Sequence, residues 1–235
     1  MALDVYVGTL TRYYTRDWEN AVQSQARLDG VKYQVITAGG DQGPPPKAEE
    51  VRPVILSWQQ ALTQGLGPAL VEPVAWEESP ESPYFTDRPG YAGYSALLTW
   101  TLYAHAPAAS PPLDVPEDWA EDPLFEAATA AGSGSPYRQI LQPAYWLPVP
   151  LDFVFEGPSP VNEPTWIGSS PTLLKQLDLL NEVTFRASDA DLVRYLTGEF
   201  DAPSPLEHAA RFALATFRQL AMKSIEFRVP MLLDT

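Results

Sequence analysis

Two histidines, His105 and His208, and no cysteine are all that the chain offers a zinc ion by way of nitrogen or sulfur. A structural or catalytic zinc site needs three or four ligands of suitable type and spacing. The placement of these two residues supplies no such set. His105 ends a continuous apolar stretch and reads as a helix-end residue satisfied by a carbonyl. His208 falls in the first turn of a helix. A serine nucleophile of the α/β-hydrolase kind needs Gly-x-Ser-x-Gly. The nearest stretches, "GYS" at 93–95 and "GSGSP" at 132–136, do not fit, and the second reads as a hinge.

The stretch "VITAGGDQGPPPKAEEV" at 35–51 has the order of a phosphate cradle, with Lys47 near a helix start. Three consecutive prolines remove the backbone donors that a phosphate would use, and Glu49 and Glu50 repel an anion. Paired carboxylates could serve glycoside chemistry or hold a divalent metal. Asp152 and Glu156 are candidates, but both fall on the solvated face of an expected strand, opposite Phe153 and Phe155. The acidic run from Asp114 to Glu126 lacks EF-hand order, and its prolines oppose a tight calcium loop. Neither a metal nor a cofactor is expected.

"DVYVGTLTRYYTRDW" at 4–18 interleaves Arg12 and Arg16 with Tyr13, Tyr14 and Trp18. Aromatics between cations suit single-stranded nucleic acid. Only two cations are present, however, and the chain carries thirty acidic against fifteen basic residues, a net charge of −15. A polyanion is therefore an unsuitable partner. The expectation is that Tyr6, Tyr13 and Tyr14 pack at a sheet rim while Arg12 and Arg16 pair with nearby acids. Arg12, Tyr13 and Tyr14 remain a surface candidate.

The charge is uneven. Between Pro68 and Ser135 eleven acidic residues face a single cation, Arg88, which places ten of the fifteen net charges in under a third of the chain. Aromatic residues lie among them. Such a surface attracts basic partners, although acidity by itself also serves solubility. The expected partner contacts are Glu77, Glu78, Glu81, Tyr84, Phe85, Asp118, Trp119, Glu121 and Asp122. The function expected is that of an acidic cytoplasmic binding protein that neutralises a basic, toxin-like protein. Immunity proteins and antitoxins of bacterial toxin systems behave this way as a class, and the likeness is one of size, charge and missing cysteines. The alternative is an enzyme with a carboxylate- and aromatic-lined site acting on a sugar or a cationic small molecule. A third possibility is a structural subunit whose apolar helices, 90–106 and 204–227, face another chain.

The elements that must position these residues follow from periodicity. Residues 3–10 alternate with Leu3, Val5 and Val7 on one face, a strand pattern. Thr15 is the expected N-cap of a helix carrying Trp18, Ala21, Val22 and Ala26, which Gly30 ends. "VKYQVIT" at 31–37 reads as a second strand. A helix with Val51, Val54, Ile55, Trp58, Ala61 and Leu62 follows, with Pro53 in its first turn. "GYAGYSALLTWTLYAHA" is apolar nearly all round and reads as a buried helix. A short helix is expected around Leu124 to Ala131. "AYWLPVPLDFVFEG" and "EPTWIGSS" read as three short strands. Helices then begin at Ser170 (N-cap, with Pro171 at N1), at Ser188 with Asp191 as a capping box, and at Ser204, with Pro205 at N1 and Glu207 reciprocating. "VPMLLDT" reads as extended.

The twenty-five prolines, roughly twice the ~5% usual in proteins, fall between these segments and mark rigid connections. A 45% hydrophobic content supports a core. The fold class expected is α+β: one helix-rich domain over residues 1–235 with a small mixed or antiparallel sheet and a possible lobe boundary near 132–136. No charged leader followed by an apolar run opens the chain, and no segment approaches 18 apolar residues, so neither export nor membrane insertion is expected.

Overall fold

Period-two alternation at the chain start drives the first strand into the middle of a sheet. The computed structural model describes residues 3–31, 44–130 and 132–234. Within it β1 (Asp4–Val7) is buried along its whole length. Leu3, Val5 and Val7 enter one core while Tyr6 enters another, on the opposite face. A turn leads to α1 (Leu10–Tyr14), with Thr9 at the N-cap position, and then to α2 (Ala21–Leu28). The Asn20–Gln23 capping box starts α2, so the helix expected from Thr15 begins five residues later, and Thr15 instead ends α1. Gly30, at φ 69°, terminates α2 as expected, with the Val31 amide donating to the Ala26 carbonyl. The strand expected at 31–37 lies, beyond Val31, outside the described residues.

Helix α3 (Ala48–Leu66) begins after Lys47, whose backbone amide donates to the Glu50 carboxylate at 3.2 Å. That start places Pro53 at the sixth helical position rather than in the first turn, where it removes one i→i−4 bond. Val51, Ile55, Trp58 and Leu62 form the buried stripe; Val54 is outside it. An irregular stretch leads to β2 (Phe85–Asp87) and to α4 (Gly90–His105), nine of whose residues are buried. The short α5 (Pro123–Thr129) and α6 (Arg138–Leu141) follow.

Strands β3 (Tyr145–Leu147), β4 (Phe155–Pro158) and β5 (Pro164–Ser169) match the three expected. β4 is shorter than anticipated. Asp152 therefore lies in the bend before it, and Asp152 and Glu156 do not share a strand. α7 (Ser170–Val183) takes Ser169, not Ser170, as its N-cap, which moves Pro171 to the second position. α8 (Asp189–Tyr195) carries the Ser188–Asp191 box. α9 (Pro205–Phe227) is capped by Ser204, but Glu207 pairs with Arg211 one turn on instead of reciprocating. The chain closes with β6 (Met231–Asp234).

The six strands form one mixed sheet in the order β2-β1-β6-β3-β5-β4. β6 inserts between β1 and β3, antiparallel to both, and β3 runs parallel to β5. One face carries α4, α7 and α9 over a core that contains Leu97, Trp146, Leu177 and Phe217. The other carries α1 and α3 over Tyr6, Ile55, Trp58, Leu147 and Ile167. The first core draws on residues from both sides of 132–136, so that stretch is a connection inside one α+β domain. α4 and α9 pack on each other, which places the apolar faces of both helices inside the chain. No described helix is long and apolar enough to cross a membrane.

Candidate functional site

Gly8 follows β1 because nothing larger fits. A Cβ there would stand 2.4 Å from the Tyr6 hydroxyl and 2.9 Å from Tyr84 Cβ. The chain turns at this point into α1, whose first amides need acceptors. Thr9 occupies the N-cap but makes no side-chain cap bond. The acceptor comes from 67 residues away: Glu78 Oε1 takes the Leu10 amide at 3.1 Å and Oε2 takes the Thr11 amide at 2.7 Å. The Trp76 indole N–H donates to the same carboxylate. Glu78 is 3% exposed.

Arg12 completes the junction from the other side. Its guanidinium donates to the Pro80 and Ser82 carbonyls and lies 5.1 Å from the Tyr84 ring centroid. Asp17 approaches it only at 3.9 Å, so carbonyls rather than the expected nearby acids hold this side chain. Residues 76–84, which have almost no regular secondary structure, are thus fixed to α1 at Glu78, Pro80 and Ser82.

The aromatic residues of the first turn pack around the same junction. Tyr6 stands 4.9 Å from Trp18 and 5.3 Å from Tyr13, centroid to centroid. The Tyr13 hydroxyl donates to Asp234, and Tyr14 and Tyr145 share a hydrogen bond at 2.8 Å. Burial pushes the Tyr6, Tyr13 and Tyr14 phenols well above their ordinary value, so all three remain neutral hydrogen-bonding groups at physiological pH. Trp18 belongs to this cluster and not to a helical stripe with Ala21 and Val22.

Glu77 and Glu81 point outward from the fixed segment, both exposed. The Ser79 hydroxyl donates to Glu81 and holds its carboxyl below the ordinary range. Behind this ridge, between α1, the start of α3 and the Glu78–Pro80 turn, lies a cavity of about 210 Å³. Thr9, Thr11, Asp17, Glu49, Arg52 and Glu78 are among its lining residues.

The expected contact residues divide between two places. Glu77, Glu78, Glu81 and Tyr84 belong to the ridge beside α1, and Glu78 is an internal anchor rather than a surface group. Phe85 turns to the other face of the sheet, where its ring meets Phe227 at 5.2 Å. Asp118, Trp119, Glu121 and Asp122 also lie on that face. Trp119 packs edge-on against Tyr94 at 6.2 Å and Phe125 at 4.8 Å. Asp118 accepts the Ala120 amide, and Asp122 caps α5 through the Leu124 amide. Glu121 is exposed.

The anchors Glu78 and Arg12 have no sequence signal beyond their types, because their partners lie about seventy residues away. His208 stacks on Phe200 at 4.3 Å, and its Nε2 meets the Gly198 carbonyl at 3.2 Å. His105 closes α4. No group of three or more acidic or histidine side chains among the described residues is arranged to hold a metal ion. No protein-family model, curated protein or solved structure matches this chain.

Proposed function

We propose that the protein binds and neutralises a basic protein partner, in the manner of a bacterial toxin immunity protein, with the cytoplasm as its compartment. The observation that carries this reading is the fixed ridge. An irregular segment bearing Glu77 and Glu81 is pinned to α1 by a buried carboxylate and by a guanidinium that grips two carbonyls. A pre-organised loop loses little conformational entropy on binding. Outward carboxylates on it would steer a positively charged surface into place and fix its register. The net charge of −15 adds a long-range attraction for such a partner.

The enzymatic alternative would need carboxylates converging on an open site. Glu78 is the buried carboxylate of the cavity, and three of its roughly four acceptor positions already serve N–H groups. It acts as the cap of a helix.

The test is retention of basic proteins from the native host by immobilised wild type and by a Glu77→Lys/Glu81→Lys variant. Wild type should hold a basic protein at low salt and release it at high salt, and the variant should hold none. If wild type retains no basic protein at low salt, or if the variant retains it equally well, the reading fails.

A further inference from the structure

We infer that the cavity behind the ridge receives an arginine side chain of the basic partner. The inference rests on the proposed binding role and names the anchor residue that this role would use. Three observations lead to it.

The first is the state of Glu78. A buried carboxylate is costly unless paired, yet among the described residues this one forms no ion pair. Its contacts are two backbone amides and one indole, all neutral. A carboxylate has about four acceptor positions, so one remains, and Glu78 lines the cavity.

The second is Thr11. It is 9% exposed and lines the same cavity; its Oγ1 is closed off from solvent as it stands and has no hydrogen-bond partner. A buried hydroxyl left unpaired loses the desolvation free energy of the group. Rotation about χ1, for which helical threonine has two common settings, gives this hydroxyl a second direction. Thr9 adds another hydroxyl on the wall, freed from capping because Glu78 has taken the α1 amides.

The third is size and charge. A volume of about 210 Å³ lies below the ~300–1,000 Å³ of pockets for drug-sized ligands and suits a single side chain. The charged groups facing it are Asp17, Glu49 and Glu78 against Arg12 and Arg52. Three carboxylates thus stand against two guanidiniums, a formal balance of −1, and of the five Glu78 and Arg12 are the least exposed. This balance favours a cation. A guanidinium offers five N–H donors in a planar fork, enough to meet the last Glu78 position and the threonine hydroxyls together. Arginines buried in such pockets are typical binding hot spots.

The experiment titrates N-acetyl-arginine methylamide into ¹⁵N-labelled protein and follows the Trp76 indole N–H, which is bonded to Glu78. N-acetyl-norleucine methylamide, with an uncharged stem, is the control. The arginine probe should shift the Trp76 signal saturably, the control should not, and Thr11→Val should weaken the effect at least about tenfold. Thr11→Val removes an unpaired hydroxyl at constant shape, so its melting temperature should equal or exceed wild type. The absence of a shift with the arginine probe, or an equal shift in Thr11→Val, would overturn the assignment. A silent cavity in a protein that still retains a basic partner through Glu77 and Glu81 refutes the anchor alone. A responsive cavity in a protein that retains no basic partner refutes the binding role alone.

Discussion

The Glu78 carboxylate accepts the Thr11 amide at 2.7 Å across 67 residues of chain, and so supplies the cap that the N-cap residue Thr9 does not. One acidic side chain thereby joins the start of α1 to an irregular ridge. Removing it orphans three buried donors, those of Leu10, Thr11 and Trp76. Each buried unsatisfied group costs about 1–3 kcal/mol. Glu78→Ala should therefore lose about 3 kcal/mol or more in urea unfolding. Glu78→Gln, which keeps one acceptor oxygen, should lose less. A loss below about 0.5 kcal/mol for Glu78→Ala, the range of an ordinary surface substitution, would contradict this role.

Arg12 serves the same junction by a different geometry. Its side chain is only 14% exposed, and its planar fork spans the Pro80 and Ser82 carbonyls. Lysine carries the charge but as a compact point with no fork. Arg12→Lys should lower stability by about 1–2 kcal/mol. It should also speed amide hydrogen exchange in residues 76–84, while α4 and α9 keep wild-type protection. Unchanged exchange in 76–84 would mean that the carbonyl clamp does not fix the ridge.

Local patterning makes much of this architecture readable and leaves its long-range polar contacts hidden. The alternation of Leu3, Val5 and Val7, the apolar run of α4 and the Ser188–Asp191 box are short-range signals, and each is realised. Helix starts are harder to place where two capping residues compete. Asn20 prevails over Thr15 because Gln23 reciprocates, and Lys47 with Glu50 moves the start of α3 upstream of Pro53. The Glu78 and Arg12 contacts depend on the fold bringing residue 78 beside residue 11, and no periodicity encodes that. The same limit applies to the acidic stretch 68–135. Its charge is evident from composition, but its division between the two faces of the sheet follows from where Trp76 and Trp119 find cores.

Gly168 should tolerate no side chain. A Cβ at this position of β5 would stand 2.0 Å from Gln139 Oε1 and 2.7 Å from Pro143 Cγ. Gln139 has no freedom to withdraw: its Oε1 accepts the Ser169 amide at 2.8 Å and its Nε2 donates to the Phe153 carbonyl at 3.0 Å. Overpacking costs about 1–3 kcal/mol, and the displaced amide adds its own penalty. Gly168→Ala should lose about 3 kcal/mol or more. Gly65→Ala is the control: Gly65 lies in α3 with nothing within 4 Å of the added carbon, and helix propensity should raise stability by up to about 1 kcal/mol. Similar melting temperatures for the two variants would contradict the steric account.

Two carboxyls, Asp87 at the end of the edge strand β2 and Asp234 at the end of β6, should make the protein sensitive to pH in an unusual direction. Burial raises the pKa of Asp87 and of Asp234, and the nearby Asp4 carboxylate adds to both effects; the Tyr13 hydroxyl bonded to Asp234 opposes the rise without cancelling it. A carboxyl whose pKa is higher in the folded state holds its proton more tightly there. Its contribution to stability is fully present below the unfolded pKa and is lost as pH rises through the folded pKa. At neutral pH both groups are therefore destabilising. Asp87→Asn and Asp234→Asn should each raise the melting temperature at pH 7, and the new side-chain amide of Asp234→Asn still offers an oxygen to Tyr13. The advantage should shrink as the solution is acidified through the raised pKa values and vanish below the ordinary carboxylate range. Asp4→Asn should behave oppositely at pH 7, because it breaks the 2.7 Å ion pair with Arg88 and weakens two hydrogen bonds to that guanidinium. Melting curves of the three variants and wild type across the acidic range decide the matter, and a gain for Asp87→Asn or Asp234→Asn that grows on acidification would reverse the assigned sign.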